Sequence, residues 1–377
     1  VRSRRQRQMC IRDRYRSMRF VTKTMGKATL GLLESLLFAA LLLPQLVFVQ
    51  YTVTSGLLTA AAIFWFLTGK KAEEEKCAGG FLKKNLPPVL LCILAFLLRP
   101  EMLILLLPLA GVAGLWKWAE ERPVFTKKNA ACYLGVFGLI LAGLLIGQAA
   151  NGIAYGSAEW KEFFRLFNAR TEVYDFKTAD ILKYEENKEF YDSLGLTEEE
   201  AALLGNYNYG VDDRIDAGLM ERISAYALEK EGYFGKSLRE GIWIYKARLS
   251  NTPGLDFDAE QEFPFLLTEA VLIVLLLLAA YLGKRAALLW QLLLFGGVRS
   301  VLWMYLILRN RVPVRISHPL YFAEIVMLAA WLLHYLKEGQ FTAKEKLSAR
   351  RWLNPVYISV ILLFVTAFSL LPRSMEK

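Results

Sequence analysis

The sequence predicts an all-α polytopic membrane protein, with about seven transmembrane helices plus a short helical hairpin and one α-helical extracytoplasmic domain. Three observations carry that prediction. Several apolar runs reach about 20 residues, the length that spans hydrocarbon at 1.5 Å per residue. Charge is unevenly spread: residues 150–263 hold 23 acidic and 13 basic side chains, a net of −10, which leaves +20 for the rest of a chain whose total is +10. Basic residues crowded into short loops mark cytoplasmic loops and need no polyanionic partner, so the basic balance implies no nucleic acid. The acidic segment, finally, is too long for a plain loop and carries helical periodicity, as a folded domain does.

In chain order, residues 8–14 read QMCIRDR, which resembles a translated sequencing-library adapter. Residues 1–14 are therefore expected to be adapter-derived, and the chain to be an N-terminally truncated metagenomic fragment; a basic juxtamembrane tail is the competing reading. N-terminal membrane helices occupy 28–149. The runs 29–49, with Glu34 and Pro44, and 52–68 form an antiparallel pair across Gln50 and Tyr51. The polar loop 69–88 ends in Pro87-Pro88, expected to close one element and open the next. The run 89–98 then stops at Arg99-Pro100-Glu101, and 102–116 continues. These are either one proline-kinked span or a hairpin over 89–116. Loop charge decides: the hairpin gives 16 Lys and Arg in inner short loops against 5 outside, whereas a single span gives 10 against 11. With the hairpin, 129–148 crosses outward and 150–263 is extracytoplasmic. In the C-terminal membrane region 264–371, the spans are 264–283, 286–308, 319–336 and 355–371.

Within 150–263, Trp160, Phe163, Phe164 and Phe167 recur at i, i+3, i+4 and i+7. That spacing predicts an amphipathic helix over 157–168 with an aromatic face, suited either to the membrane surface or to packing on the domain. Thr197 and Glu200 have capping-box spacing before 201–204. Residues 213–230 and 235–250 read as two further helices. FNARTEVYDF (167–176) and NYNYG (206–210) are dense in groups that can bond and stack on a sugar ring, as are Trp160, Asn168, Arg170 and Asp175; the same aromatics serve equally as a small core.

Chemistry concentrates in arginines. Arg299 lies about halfway along the span 286–308, where an ionised side chain costs roughly 2.5 kcal/mol or more and must face a protein interior or a wet cavity. It is either a functional residue or a structural arginine paired with a neighbouring carboxylate. Arg309, Arg311 and Arg315 follow the span, then His318 and Pro319. On the outer face this cluster runs against the positive-inside trend and calls for an anionic partner such as lipid phosphate, or for snorkelling onto headgroups. None of Cys10, Cys77, Cys92 and Cys132 lies in the polar segment, so no disulfide framework supports it. With only His318 and His334, no metal site is expected. There is no Walker loop, GxSxG, HExxH or paired-cysteine motif, and no cofactor is implied.

LLRPEMLILLLP (97–108), VQYTVTSGLLTAAAIF (49–64) and RNRVPVRISHPLY (309–321) resemble segments of the membrane glycosyltransferases of the C superfold. The resemblance, over residues 28–336, implies a bacterial plasma-membrane protein that takes a sugar from a polyprenyl-phosphate carrier, among membrane lipids, to a cell-envelope acceptor. It implies carrier-phosphate contacts from Arg299, Arg309, Arg311 and Arg315, and positioning roles for Arg99, Glu101 and His318; Arg99 and Glu101 alternatively satisfy each other at a turn. Family members carry an aspartate base in a first outer loop, and this chain has no such loop; either the base was lost with the N-terminus or the resemblance misleads, so no catalytic base is assigned. A lipid-linked glycan or polymer transporter, or a non-enzymatic assembly protein, is the alternative.

Overall fold

The computed structural model describes residues 50–177, 179–208, 214–252, 259–282 and 286–338. The expectations on residues 1–14, on the spans 29–49 and 355–371 and on part of NYNYG lie outside the described residues. In order, the helices are α1 (Tyr51–Thr68), α2 (Ala78–Leu98), α3 (Pro100–Ala119), α4 (Lys127–Ala154), α5 (Ala158–Phe176), α6 (Lys188–Ser193), α7 (Glu198–Gly205), α8 (Ala217–Glu231), α9 (Leu238–Leu249), α10 (Ala259–Leu282), α11 (Ala287–Leu308) and α12 (Val314–Glu338). Short 3-10 turns at Ala179–Leu182 and Glu185–Asn187 precede α6. Among the described residues no strand is present, and seven helices are long and apolar enough to cross a membrane, the make-up of a multi-pass membrane protein. The chain divides into two compact units, one from Val1–Gly147, Asn251–Ser300 and Pro313–Lys377, the other from Gln148–Ser250 and Val301–Val312.

The first unit is organised on α12, whose span is 89 % buried, against 17 % for α4. His318, Tyr321, Glu324 and His334 explain why: such side chains are costly against lipid, so their helix takes the centre of the bundle. It packs on α1, α10 and α3. Gly56 on α1 permits the closest approach, since a Cβ there would stand 2.5 Å from Cβ of Pro319.

The arms of the hairpin are longer than the sequence suggested. α2 has 21 residues and α3 has 20, so each is long enough to span. Only the extended backbone of Arg99 separates them, and the Ser55 hydroxyl donates to the carbonyls of Ala95 (2.9 Å) and Arg99 (3.2 Å). At the far end the two flanking loops meet. Buried Glu121 accepts from the backbone N–H of Ala72 (2.6 Å) and Glu73 (2.9 Å) and from the Tyr133 hydroxyl (2.5 Å). The N–H of Arg122 donates back to the Glu73 carboxylate at 2.9 Å. This puts residues 69–77 and 120–122 at one end of the bundle, as a hairpin requires. Pro87 and Pro88 do not separate two elements; they lie inside α2. Burial of Phe81 and Val89 with Cys132, Tyr133 and Val136 holds both sides of the pair in one helix and outweighs two missing backbone donors.

In the second unit, α5 runs on through residues 169–176, beyond the 157–168 that the aromatic spacing predicts, because Ala169 and Val173 continue its inward face. That face packs on α8 around Tyr191, Leu204, Met220, Ile223 and Ala227. Ser157, Asp216 and Ser237 cap α5, α8 and α9, and Thr197 with Glu200 forms the expected capping box on α7. Buried Asn187 ties the 3-10 turns to α8: it donates to the carbonyls of Asp180 (2.7 Å) and Lys183 (2.9 Å) and accepts from Tyr226 (3.0 Å) and Lys230 (2.6 Å). From NYNYG, Tyr207 stacks on Tyr174 with ring centres 4.5 Å apart.

Candidate functional site

Two charged clusters stand out, one in each unit. In the first unit, Glu262 and Glu269 recur seven residues apart on one side of α10, and His318, Tyr321 and Glu324 recur every three on α12. Between them comes Arg299 of α11. Its Nε donates to Oε1 of Glu269 at 2.6 Å and its Nη2 to Oε2 at 2.9 Å, a two-point fork, while Oε2 of Glu324 stands 3.3 Å from Nε. The Tyr321 hydroxyl donates to Glu262 at 3.1 Å, and the His318 ring lies 4.8 Å from that of Phe265. Glu324 is fully buried, and the side chains of Glu269 and Arg299 are 5 % and 7 % exposed. This is the carboxylate-paired arrangement that the sequence left open for Arg299. α11 runs unbroken from Ala287 to Leu308 through Gly296 and Gly297.

The second unit holds the other cluster where α11 ends. The N–H of Asn310 donates to the Ile307 carbonyl (3.0 Å) and that of Arg311 to the Leu306 carbonyl (2.9 Å), with Asn310 at φ 52°. That is a Schellman end with asparagine in the left-handed position, and it sets the directions of Arg309 and Arg311. Arg309 makes a fork to Glu172 of α5 (3.3 and 3.1 Å) and donates to the Tyr233 carbonyl (2.5 Å). Its guanidinium lies 4.0 Å from the ring centres of both Phe176 and Tyr233. Arg311 donates to Oδ2 of Asp175 at 2.8 Å, and Lys177 stands 3.5 Å from Glu172. Glu172, Asp175 and Phe176 share a face of α5 by their i, i+3 and i+4 spacing. The cluster thus has three cations, two carboxylates and two rings.

Other expected site residues are distributed elsewhere. Trp160 lies fifteen residues before Asp175, about 22 Å along α5, so the two cannot share one sugar subsite. Asn168 is exposed between them, and Arg170 lies over the Phe167 ring at 5.4 Å. Arg315 is exposed on the first turn of α12. Arg99 pairs with Glu101 at 2.9 Å at an exposed tip and reaches over the Tyr51 ring. Among the described residues no group of three His, Cys, Asp or Glu side chains is placed to hold a metal ion.

Sequence reasoning missed Glu269, Glu324, Glu172, Lys177 and Tyr233. The first two were findable, since the argument that singled out Arg299, charge inside an apolar run, applies to both. No family model matches the chain, and no curated protein or solved structure matches it. What the fold defines is therefore a class, a helical multi-pass membrane protein, and function rests on the two clusters.

Proposed function

We propose that the chain is a membrane glycosyltransferase-like protein that receives a polyprenyl-phosphate-linked sugar beside the end of α11 and passes the sugar to a cell-envelope acceptor. The observation that carries this reading is the Arg311–Asp175 contact of 2.8 Å, which joins the late arginine segment to the polar end of α5. The pair is part-exposed, 18 % for Arg311 and 35 % for Asp175, so an incoming phosphate has access to the guanidinium. Arg309, locked between two rings and Glu172, positions the turn that presents Arg311. In the transfer, the acceptor hydroxyl gives up its proton to water, its oxygen bonds to the anomeric carbon, and the carbon–oxygen bond to phosphate breaks with its electron pair leaving on the phosphate. Negative charge collects on the departing phosphate, where a fixed guanidinium stabilises it most.

The test is binding of a polyprenyl phosphate bearing a radiolabelled hexose to the full chain in nanodiscs. Wild type should bind, and Arg311→Ala should bind roughly tenfold more weakly or worse, the loss of one charged hydrogen bond. Arg165→Ala, which removes an exposed pair on α5, should bind as wild type does. No binding by wild type, or equal binding by Arg311→Ala, ends this reading. The Glu269–Arg299–Glu324 group favours a second one: two buried carboxylates on one guanidinium would suit a proton-linked carrier of lipid-linked glycan.

A further inference from the structure

Among the described residues, the aromatic face of α5 is turned away from the buried core of its domain. Ala169 and Val173 face the core, while Trp160, Phe163 and Phe167 on the opposite side are 41, 49 and 38 % exposed. With Phe164 and Tyr155 they form a continuous edge-to-face and stacked cluster, Tyr155 to Trp160 at 4.7 Å and Phe163 to Phe167 at 6.0 Å.

Both ends of α5 are fixed to the ends of membrane spans. Its first residue follows α4 after three residues, and its last turn is bound to Arg309 and Arg311, directly beyond α11. α4 has 28 residues, about 42 Å, enough to cross the hydrocarbon and both headgroup layers. The 22 residues of α11 cover about 33 Å, enough to cross the hydrocarbon. α5 is about 28 Å long and carries Glu159, Lys161, Glu162, Arg165, Arg170, Glu172 and Asp175, which bars it from crossing the bilayer between opposite faces. These charges keep α5 out of the hydrocarbon core.

We propose that α5 is an in-plane interfacial helix whose face Tyr155, Trp160, Phe163, Phe164 and Phe167 is seated in membrane lipid at the boundary of headgroups and acyl chains. Lipid is the occupant because the apolar strip continues that of a membrane span: Ile153, in the last turn of α4, is 85 % exposed and precedes Tyr155 by two residues. Aromatic side chains favour this depth. Seating α5 there holds Asp175 and Arg311 at the level of lipid phosphates. The inference needs no substrate and stands or falls apart from the transferase reading.

The test uses the full chain in nanodiscs with the four cysteines replaced by alanine and one environment-sensitive fluorophore on Phe163→Cys, Phe167→Cys or Glu189→Cys. Lipids carry a nitroxide at a shallow or a deep acyl position. Labels at 163 and 167 should lose emission to the shallow nitroxide more than to the deep one, and the label at exposed Glu189 should lose none to either. Labels at 163 and 167 that behave like the one at 189 overturn the proposal. So does blue-shifted emission without nitroxide quenching, which means that protein covers the face. Two independent positions keep the test valid if one substitution disturbs folding.

Discussion

Replacing Arg299 by methionine keeps a long side chain in place but removes the cation that stands between the Glu269 and Glu324 carboxylates. The fork to Glu269, at 2.6 and 2.9 Å, lies on side chains no more than 7 % exposed. Removing one member of a buried pair costs about 3–5 kcal/mol, because a charge is left in a poor solvent. Arg299→Met should therefore lose about that much in reversible unfolding, followed by circular dichroism as a denaturing detergent is titrated into mixed micelles. Adding Glu269→Gln to Arg299→Met should restore part of the loss, since the second change removes one stranded charge; neighbours of this kind couple by about 0.5–3 kcal/mol. The single variants thus should not add. If Arg299→Met unfolds within about 1 kcal/mol of wild type, or if the double variant loses the sum of the two, the ion pair is not what holds α10 and α11 together.

Three further outcomes are expected. Glu121→Ala strands the N–H groups of Ala72 and Glu73 and the Tyr133 hydroxyl, at about 1–3 kcal/mol for each donor that finds no water, and should loosen the loop 69–77 to proteolysis. Gly56→Ala presses a methyl group against the rigid Pro319 ring and should cost about 1–3 kcal/mol in the same detergent titration, whereas Gly111→Ala, with nothing near its Cβ, should be neutral or slightly stabilising. The Glu221 carboxylate is held below its ordinary value of 4.5, chiefly by the hydrogen bond from Arg165. Its folded pKa being the lower, its contribution is present at neutral pH and disappears as pH falls below about 4.5. Between pH 6 and 3, Glu221→Gln should therefore lose less stability than wild type.

The helical class and most helix positions were legible because they rest on periodicity and on apolar length. α8, α9 and the capping box on Thr197 are local patterns and appear close to where those patterns put them, while α5 starts where its pattern does and runs on to Phe176. Pro87-Pro88 misled because proline is a breaker only where nothing else holds the helix, and Phe81 and Val89 share one buried cluster across the pair. The partners of the arginines were hidden for a different reason. Arg309 meets Glu172 across 137 positions of sequence and Arg311 meets Asp175 across 136, contacts that no local pattern encodes. Arg299 was legible as a buried charge, and its place in the sequence said that an anion must be near; which carboxylate supplies it depends on the packing of α10 and α12.

The central claim is that the end of α11 and the end of α5 together meet the phosphate of a lipid carrier. Photo-crosslinking tests it most directly: a polyprenyl phosphate with a diazirine next to the phosphate is irradiated with the full chain in nanodiscs, and the labelled peptides are sequenced. The account predicts label in peptides containing residues 168–177 and 309–312, reduced by unlabelled polyprenyl phosphate and by Arg311→Ala. Label confined to other peptides, or unchanged in Arg311→Ala, would contradict it.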